Sequence, residues 1–297
     1  MTPLSRREFL ATTVPGAVLG AEALRASPYN WPLGFQIFPL RMQIDKDFRG
    51  TMKQVADAGF QTVELLSPWY NKHNFGLADM EKYSGKEIQS ILGDLGLKAV
   101  GAHVDMTECR GEELPKIIQW AKDRNLNQIC VPSLDGPTRP PDNTLDTVKK
   151  LADEYNHAGE MSAKAGLKQG LHTEGFELSL IDGKRVFDHL FSYLDKRYVR
   201  FQFQMSTLGQ GLVAADYFTQ HPGWFLSMHL QDVDMKTEVP GRNGRGASHP
   251  QVAIGKGSID WVRTFQAAKT GGVENFFVEQ SLELAKEGVP FLKSLKV

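Results

Sequence analysis

Eight short apolar runs recur along the chain, separated by longer segments of helical spacing, and this rhythm constrains the fold more than any other feature. The runs are GFQIFP (34–39), QTVELL (61–66), KAVGAHV (98–104), QICVPS (128–133), KQGLHTE (168–174), VRFQFQ (199–204), FLSMHLQD (225–232) and NFFVEQ (275–280). Their length and apolar character predict buried strands, and stretches such as FRGTMKQVADAG, GKEIQSILGDLG and ELPKIIQWAKDRN predict amphipathic helices between them. Gly59, Gly96 and Gly166 stand where a helix needs a left-handed cap before the next strand. Strand and helix alternating eight times over about 260 residues match a (β/α)8 TIM barrel, an α/β fold of about 250 residues. An open doubly wound sheet is the competing arrangement, but no GxGxxG turn follows the first run. One barrel domain over residues 28–297 accounts for the pattern.

The loops that interrupt the rhythm, 67–84, 134–143 and 233–257, each follow the end of a strand. In a barrel that is the face where active sites are assembled. With 41% hydrophobic and 23% charged residues the chain has material for a full core, and a net charge of −1 gives no field for wrapping a polyanion. Nucleic acid is therefore excluded as the expected partner, and a small molecule is favoured. An oligomer is compatible with the sequence. Only Cys109 and Cys130 are present, too few for a disulfide scaffold, although a single bridge between them stays open.

Residues 1–27 read as an address. SRREFL carries paired Arg6 and Arg7 ahead of a mild apolar run from Phe9 to Leu24 and small residues suited to cleavage, the pattern of a twin-arginine signal. The expectation is a periplasmic or otherwise exported protein without a membrane span in its mature part. Twin-arginine export carries folded chains, which points weakly toward a cofactor loaded beforehand.

Polar residues gather at the strand ends: Glu64, His103, His172 with Glu174, Gln204, His229 and Glu279. Each polar group left buried and unpaired costs about 1–3 kcal/mol, so this many requires either a satisfied network or a function. If the fifth run is extended, His172 and Glu174 share a face. Two carboxylates, an amide and one imidazole on neighbouring walls suit a divalent ion, Mn²⁺ or Mg²⁺ first, with Zn²⁺ as the alternative. The competing reading is a set of isolated polar residues satisfied by neighbours.

From residue 34 onward the chain resembles the xylose isomerase-like barrel family of sugar isomerases and epimerases. The resemblance is carried by GFQIFPLR, VELLSPWY, LKAVGAHV, HTEGFEL (similar to an HNHDFEF-type fifth strand), MHLQD (an HxKD-type seventh), GKGSIDW and FFVEQ. It implies one divalent ion held by Glu174, Gln204, His229 and Glu279, with Glu174 and Glu279 also exchanging a substrate proton. Two positions depart from the family pattern. Gln204 stands where many relatives have Asp and offers only a neutral oxygen, and Glu174 stands where the fifth-strand motif has its second His, leaving His172 or Glu177 as alternative ligands. Arg41, Glu64, His103, His172 and Lys256 are the expected contacts to a sugar, while Trp69 and Tyr70 either stack on it or cover the rim. The expected function is metal-dependent isomerisation or epimerisation of a free or keto sugar. A lyase or hydrolase on 3-keto-glycosides and a non-catalytic sugar-binding barrel are the rivals.

Overall fold

The structure, a computed structural model, describes residues 30–240 and 247–297. The export signal read from residues 1–27 lies outside them. Eight parallel strands close into a barrel: β1 (Gly34–Gln36), β2 (Thr62–Leu66), β3 (Lys98–His103), β4 (Gln128–Val131), β5 (Lys168–His172), β6 (Val199–Gln204), β7 (Phe225–Leu230) and β8 (Asn275–Val278). Each pairs with its sequence neighbours, and β1 closes on β8 through Phe35 and Val278. The TIM barrel expected from the rhythm is the fold that forms.

Strand ends fall short of the apolar runs for local reasons. Pro39 has no N–H to give a ladder, and the chain turns into a 3₁₀ segment at Phe38–Leu40. After β7 the chain leaves the barrel, and Asp232–Val233 pairs antiparallel with Gln251–Val252.

The outer ring contains α1 (Phe48–Asp57), α2 (Gly85–Asp94), α3 (Glu113–Asp123), α4 (Leu145–Lys164), α5 (Val186–Tyr193), α6 (Ala214–Gln220), α7 (Trp261–Gly271) and α8 (Leu282–Ser294). Their starts are set by side chains that satisfy otherwise orphaned N–H groups: Ser84 and Glu87 form a capping box on α2, and Asp260 accepts from Arg263 N on α7. On α2 the buried residues Ile88, Ile91 and Leu92 recur at the three- and four-residue spacing of one helix face. Between helices and sheet lies an apolar layer that includes Phe187, Phe201, Phe203, Phe218 and Phe225, each fully buried and each contributing about 1.5–3 kcal/mol.

Inside the barrel the packing is polar. Asn275 donates to Gln128 (3.0 Å), Gln128 to Ser227 (3.3 Å), and Gln202 to both Ser227 (2.9 Å) and Glu64 (2.8 Å). These bonds link strands that are not all neighbours, so the side chains meet across the interior. Small residues make the room: a Cβ on Gly170 would collide with Cys130 Sγ, and one on Gly101 would lie 2.8 Å from Gln128. Register shifts beside Glu64 and Gln202 mark where the ladder bends to aim them inward. Cys109 and Cys130 are both free and buried, so the bridge left open above does not form. Among the described residues no helix is long and apolar enough to cross a membrane.

Candidate active site

The interior column ends in a buried cluster beneath the C-terminal mouth. His103, His172 and Gln204 are the last residues of β3, β5 and β6, His229 is the penultimate residue of β7, and Glu279 directly follows β8. Glu64 joins them from β2 and is fully buried. His229 lies at the centre, with Nε2 2.6 Å from Glu64 Oε2 and Nδ1 3.2 Å from Glu279 Oε2. The His103 ring stacks on His229 at 4.9 Å, and the His172 ring is 4.5 Å from His229. Gln202 ties the group together, since its Oε1 meets His103 Nε2 at 2.6 Å while its Nε2 donates to Glu64.

The electrostatics follow from this packing. Burial works against charge on His229, but Glu64 and Glu279 on its two sides outweigh it and lift the imidazole to about 10. Burial likewise opposes ionisation of Glu64, yet His103 and His229 hold its carboxyl below the ordinary range. Glu279 is lowered against burial chiefly by His229. Burial pushes His103 down despite Glu64. Burial, with His229 and His103 alongside, drives His172 well below the ordinary imidazole range. Two of the three rings are therefore neutral at physiological pH.

Above the cluster opens a cleft of about 930 Å³ whose walls include Arg41, Arg139, Glu174, Gln204, Gln231 and Glu279. Glu279 Oε2 receives Gln204 Nε2 at 2.7 Å and Gln231 Nε2 at 2.8 Å in addition to His229, whereas Oε1 carries none of these bonds.

Of the four expected ligands, Gln204, His229 and Glu279 meet. Glu174 begins the 3₁₀ turn after β5, and its side chain is 62% exposed, with Oε2 4.0 Å from His172 Nε2. The strand ends at His172, so it is His172 that points into the buried cluster from the fifth wall. Of the expected sugar contacts, Arg41 lines the cleft, its guanidinium over the Phe38 ring at 4.1 Å. Glu64 and His172 are completely buried and His103 nearly so, which leaves them inside the network and off the sugar-facing wall. Lys256 corrects the expectation further: it pairs with Glu287 on α8 and is 64% exposed. Glu177 is buried and accepts from Leu134 N at 2.8 Å, fastening the loop after β4 to the turn after β5. Trp69 stacks on His73 and Phe75 while Tyr70 is buried, which fits rim cover. Gln202, Gln231 and Arg139 were not singled out by sequence. The FQFQ alternation carries the signal for Gln202, two residues before Gln204 on the same face.

The cluster fits a metal ion on its own terms. His172 is fully buried and neither of its ring nitrogens has a hydrogen-bond partner among the described residues. One nitrogen from each of His103, His172 and His229 lies within 4.8 Å of the others.

No family model matches the sequence, and no curated protein matches it either. Solved structures do. A sugar phosphate isomerase/epimerase from Parabacteroides distasonis superposes with a TM-score of 0.68 at 18% identity, covering 89% of this chain and 94% of its own. A xylose isomerase-like TIM barrel protein from Mycobacterium smegmatis, in complex with magnesium, gives 0.65 at 12% identity over 90% and 97%. The IOLI protein, with a bound zinc atom, gives 0.62 at 13% over 89% and 98%. The fold is thus that of the xylose isomerase-like barrels.

Proposed function

We infer that this barrel is a sugar isomerase or epimerase that moves a proton at the carbon beside a carbonyl, with a divalent ion held at His229. The observation that carries the reading is the unpaired, buried imidazole of His172 beside His229, under a cleft that two carboxylates line. His229 has donors on both sides for an ion, His172, His103 and Glu64 below and Gln204 with Glu279 above. When bound, such an ion would lend positive charge to the floor of the cleft and stabilise the negative charge left by proton removal.

The chain's own residues supply the rest. Three donors hold Glu279 through Oε2, so Oε1 is the oxygen that takes or returns the proton. Glu174, also on the cleft wall, serves a second proton position, and Arg41 and Gln231 bind substrate oxygens there. The aromatic Phe38 forms part of the cleft wall and is backed by Phe75, on which Trp69 stacks.

A lyase on 3-keto-glycosides begins with the same proton abstraction. The cleft volume, near the upper end of the roughly 300–1,000 Å³ range of small-molecule sites, favours a substrate larger than one sugar ring. Export by the twin-arginine route, resting on Arg6 and Arg7, belongs to this reading and is checked by locating the protein in cell fractions. The decisive test incubates metal-loaded protein with aldoses, ketoses and 3-keto-glycosides in D₂O. Deuterium entering the carbon next to the carbonyl, or release of an aglycone, is expected. Tight sugar binding with neither reaction would replace the enzyme by a sugar-binding barrel.

A further inference from the structure

The four ligands implied by the family resemblance are oxygen-rich, but a second set of side chains that converges beneath them is rich in imidazole. We propose that His103, His172, His229 and Glu64 form the metal centre, an imidazole-rich set that takes a borderline transition ion of the zinc class in preference to magnesium. Glu279 then lies outside the centre and orients His229.

The geometry separates two donor groups around His229. On the rim side, Glu279 Oε2 is already occupied by Gln204 Nε2, Gln231 Nε2 and His229 Nδ1. Gln204 turns its amide nitrogen toward that carboxylate, and Glu174 is 62% exposed. An amide nitrogen does not ligate a metal, so outside these bonds this side offers two oxygens, Gln204 Oε1 and Glu279 Oε1, and no nitrogen. On the inner side, three ring nitrogens lie within 4.8 Å of one another. Glu64 Oε2 reaches both His229 Nε2 at 2.6 Å and His103 Nε2 at 3.4 Å. The ring centroids of His103 and His172 are 5.2 Å apart.

Independent support comes from His172. Its two nitrogens are buried and neither makes a well-formed hydrogen bond among the described residues, with Gln202 and Glu174 beside them at longer range, a state that costs about 1–3 kcal/mol per group in a folded interior and that an ion would relieve. His103 would exchange its bond to Gln202 Oε1 for the ion. Three nitrogens and one carboxylate are the ligand types that zinc prefers, whereas magnesium demands oxygen and water. The His229 Nδ1 contact with Glu279 is the carboxylate–histidine arrangement that fixes a ligating ring from behind. The absence of an Asp at Gln204 becomes intelligible, because that position borders the centre without belonging to it.

The test uses full-length protein freed of metal with chelator, then titrated by calorimetry with Zn²⁺ and with Mg²⁺, and loaded with Co²⁺ for its visible spectrum. Zinc is expected to bind at least about a hundredfold tighter than magnesium. The cobalt form should show the strong visible bands of low-coordinate, nitrogen-bound cobalt. His103→Gln and His172→Gln should each weaken zinc about a thousandfold, while Glu279→Gln should cost no more than about a hundredfold, the range of a residue behind a ligand. Magnesium binding as tightly as zinc overturns the proposal, as does zinc surviving both histidine changes but lost in Glu279→Gln. Should the variants fail to fold, the spectrum of the unaltered protein decides alone, faint six-coordinate absorption counting against. The proposal and the isomerase reading fail separately: zinc bound in this way without proton exchange sinks only the reading, and exchange that needs magnesium sinks only the proposal.

Discussion

Nε2 of His229 stands 2.6 Å from Oε2 of Glu64, joining two fully buried residues 165 positions apart in sequence. A buried pair of this kind is asymmetric: forming it adds little, whereas removing one partner strands the other charge at a cost of about 3–5 kcal/mol. Glu64→Gln should therefore destabilise metal-free protein by about 3 kcal/mol, read as a lower denaturant midpoint with unchanged slope.

The same pair sets an alkaline limit. His229 is raised to about 10, above the value of about 6.5 for an unfolded histidine, so the stability it contributes is complete below about pH 6.5 and is lost as pH rises through 10. Glu64 and Glu279 are lowered, so their contribution is present above the unfolded carboxyl value and disappears in acid. Metal-free protein should melt progressively earlier from about pH 7 to about pH 10, and His229→Gln should flatten that slope.

Glu177 differs from Glu64 and Glu279 and, like His229, costs stability as pH rises. Burial raises its carboxyl to about 8, so the unfolded chain releases this proton first and the folded state loses stability between about pH 4.5 and pH 8. Each tenfold difference in proton affinity between the folded and unfolded chain is worth about 1.4 kcal/mol. Glu177→Gln keeps the bond to Leu134 N and should stabilise the protein by at least about 1 kcal/mol at about pH 8.5, with little effect at about pH 5, in thermal melts at the two values.

Asp232 holds the approach to the site. Its carboxylate accepts from the backbone N–H groups of Val233, Gly255, Gly257 and Ile259 and from Trp261 Nε1 at 2.8 Å. Asp232→Ala would strand several of these donors and should cost at least about 2 kcal/mol. Tryptophan emission should shift to the red, and activity should fall because Gln251 braces Gln231, which in turn holds Glu279.

Glu174 and Glu279 should separate chemistry from stability. Glu174→Gln alters an exposed side chain and should leave the melting temperature unchanged, yet lower deuterium exchange by about 10²-fold or more. Glu279→Gln should lower exchange at least as far. Unchanged exchange in both variants would remove these carboxylates from the reaction.

The barrel itself was legible because strand and helix periodicities are local, and all eight runs became strands. The site was legible by wall but not by depth. Alternation places Glu64 and His103 on an inner face, yet only the closed barrel shows that they lie under the mouth, bound to Gln202 and His229. Likewise His172 and Glu174 share a direction, but the strand stops at His172 and lifts Glu174 to the rim. Lys256 was misplaced because the GKGSIDW turn is shaped by Asp232, a contact from another segment that no local pattern reveals.

The polar column also bears on how the chain reaches its shape. Glu64 finds Gln202 and His229 only 138 and 165 residues later, so the half synthesised first holds this carboxylate with His103 alone, without its two closest partners. Half-barrels are left incomplete, and closure becomes a late, all-or-none event that waits for the seventh wall. A chain nicked between α4 and β5 should yield two pieces that regain structure only when mixed.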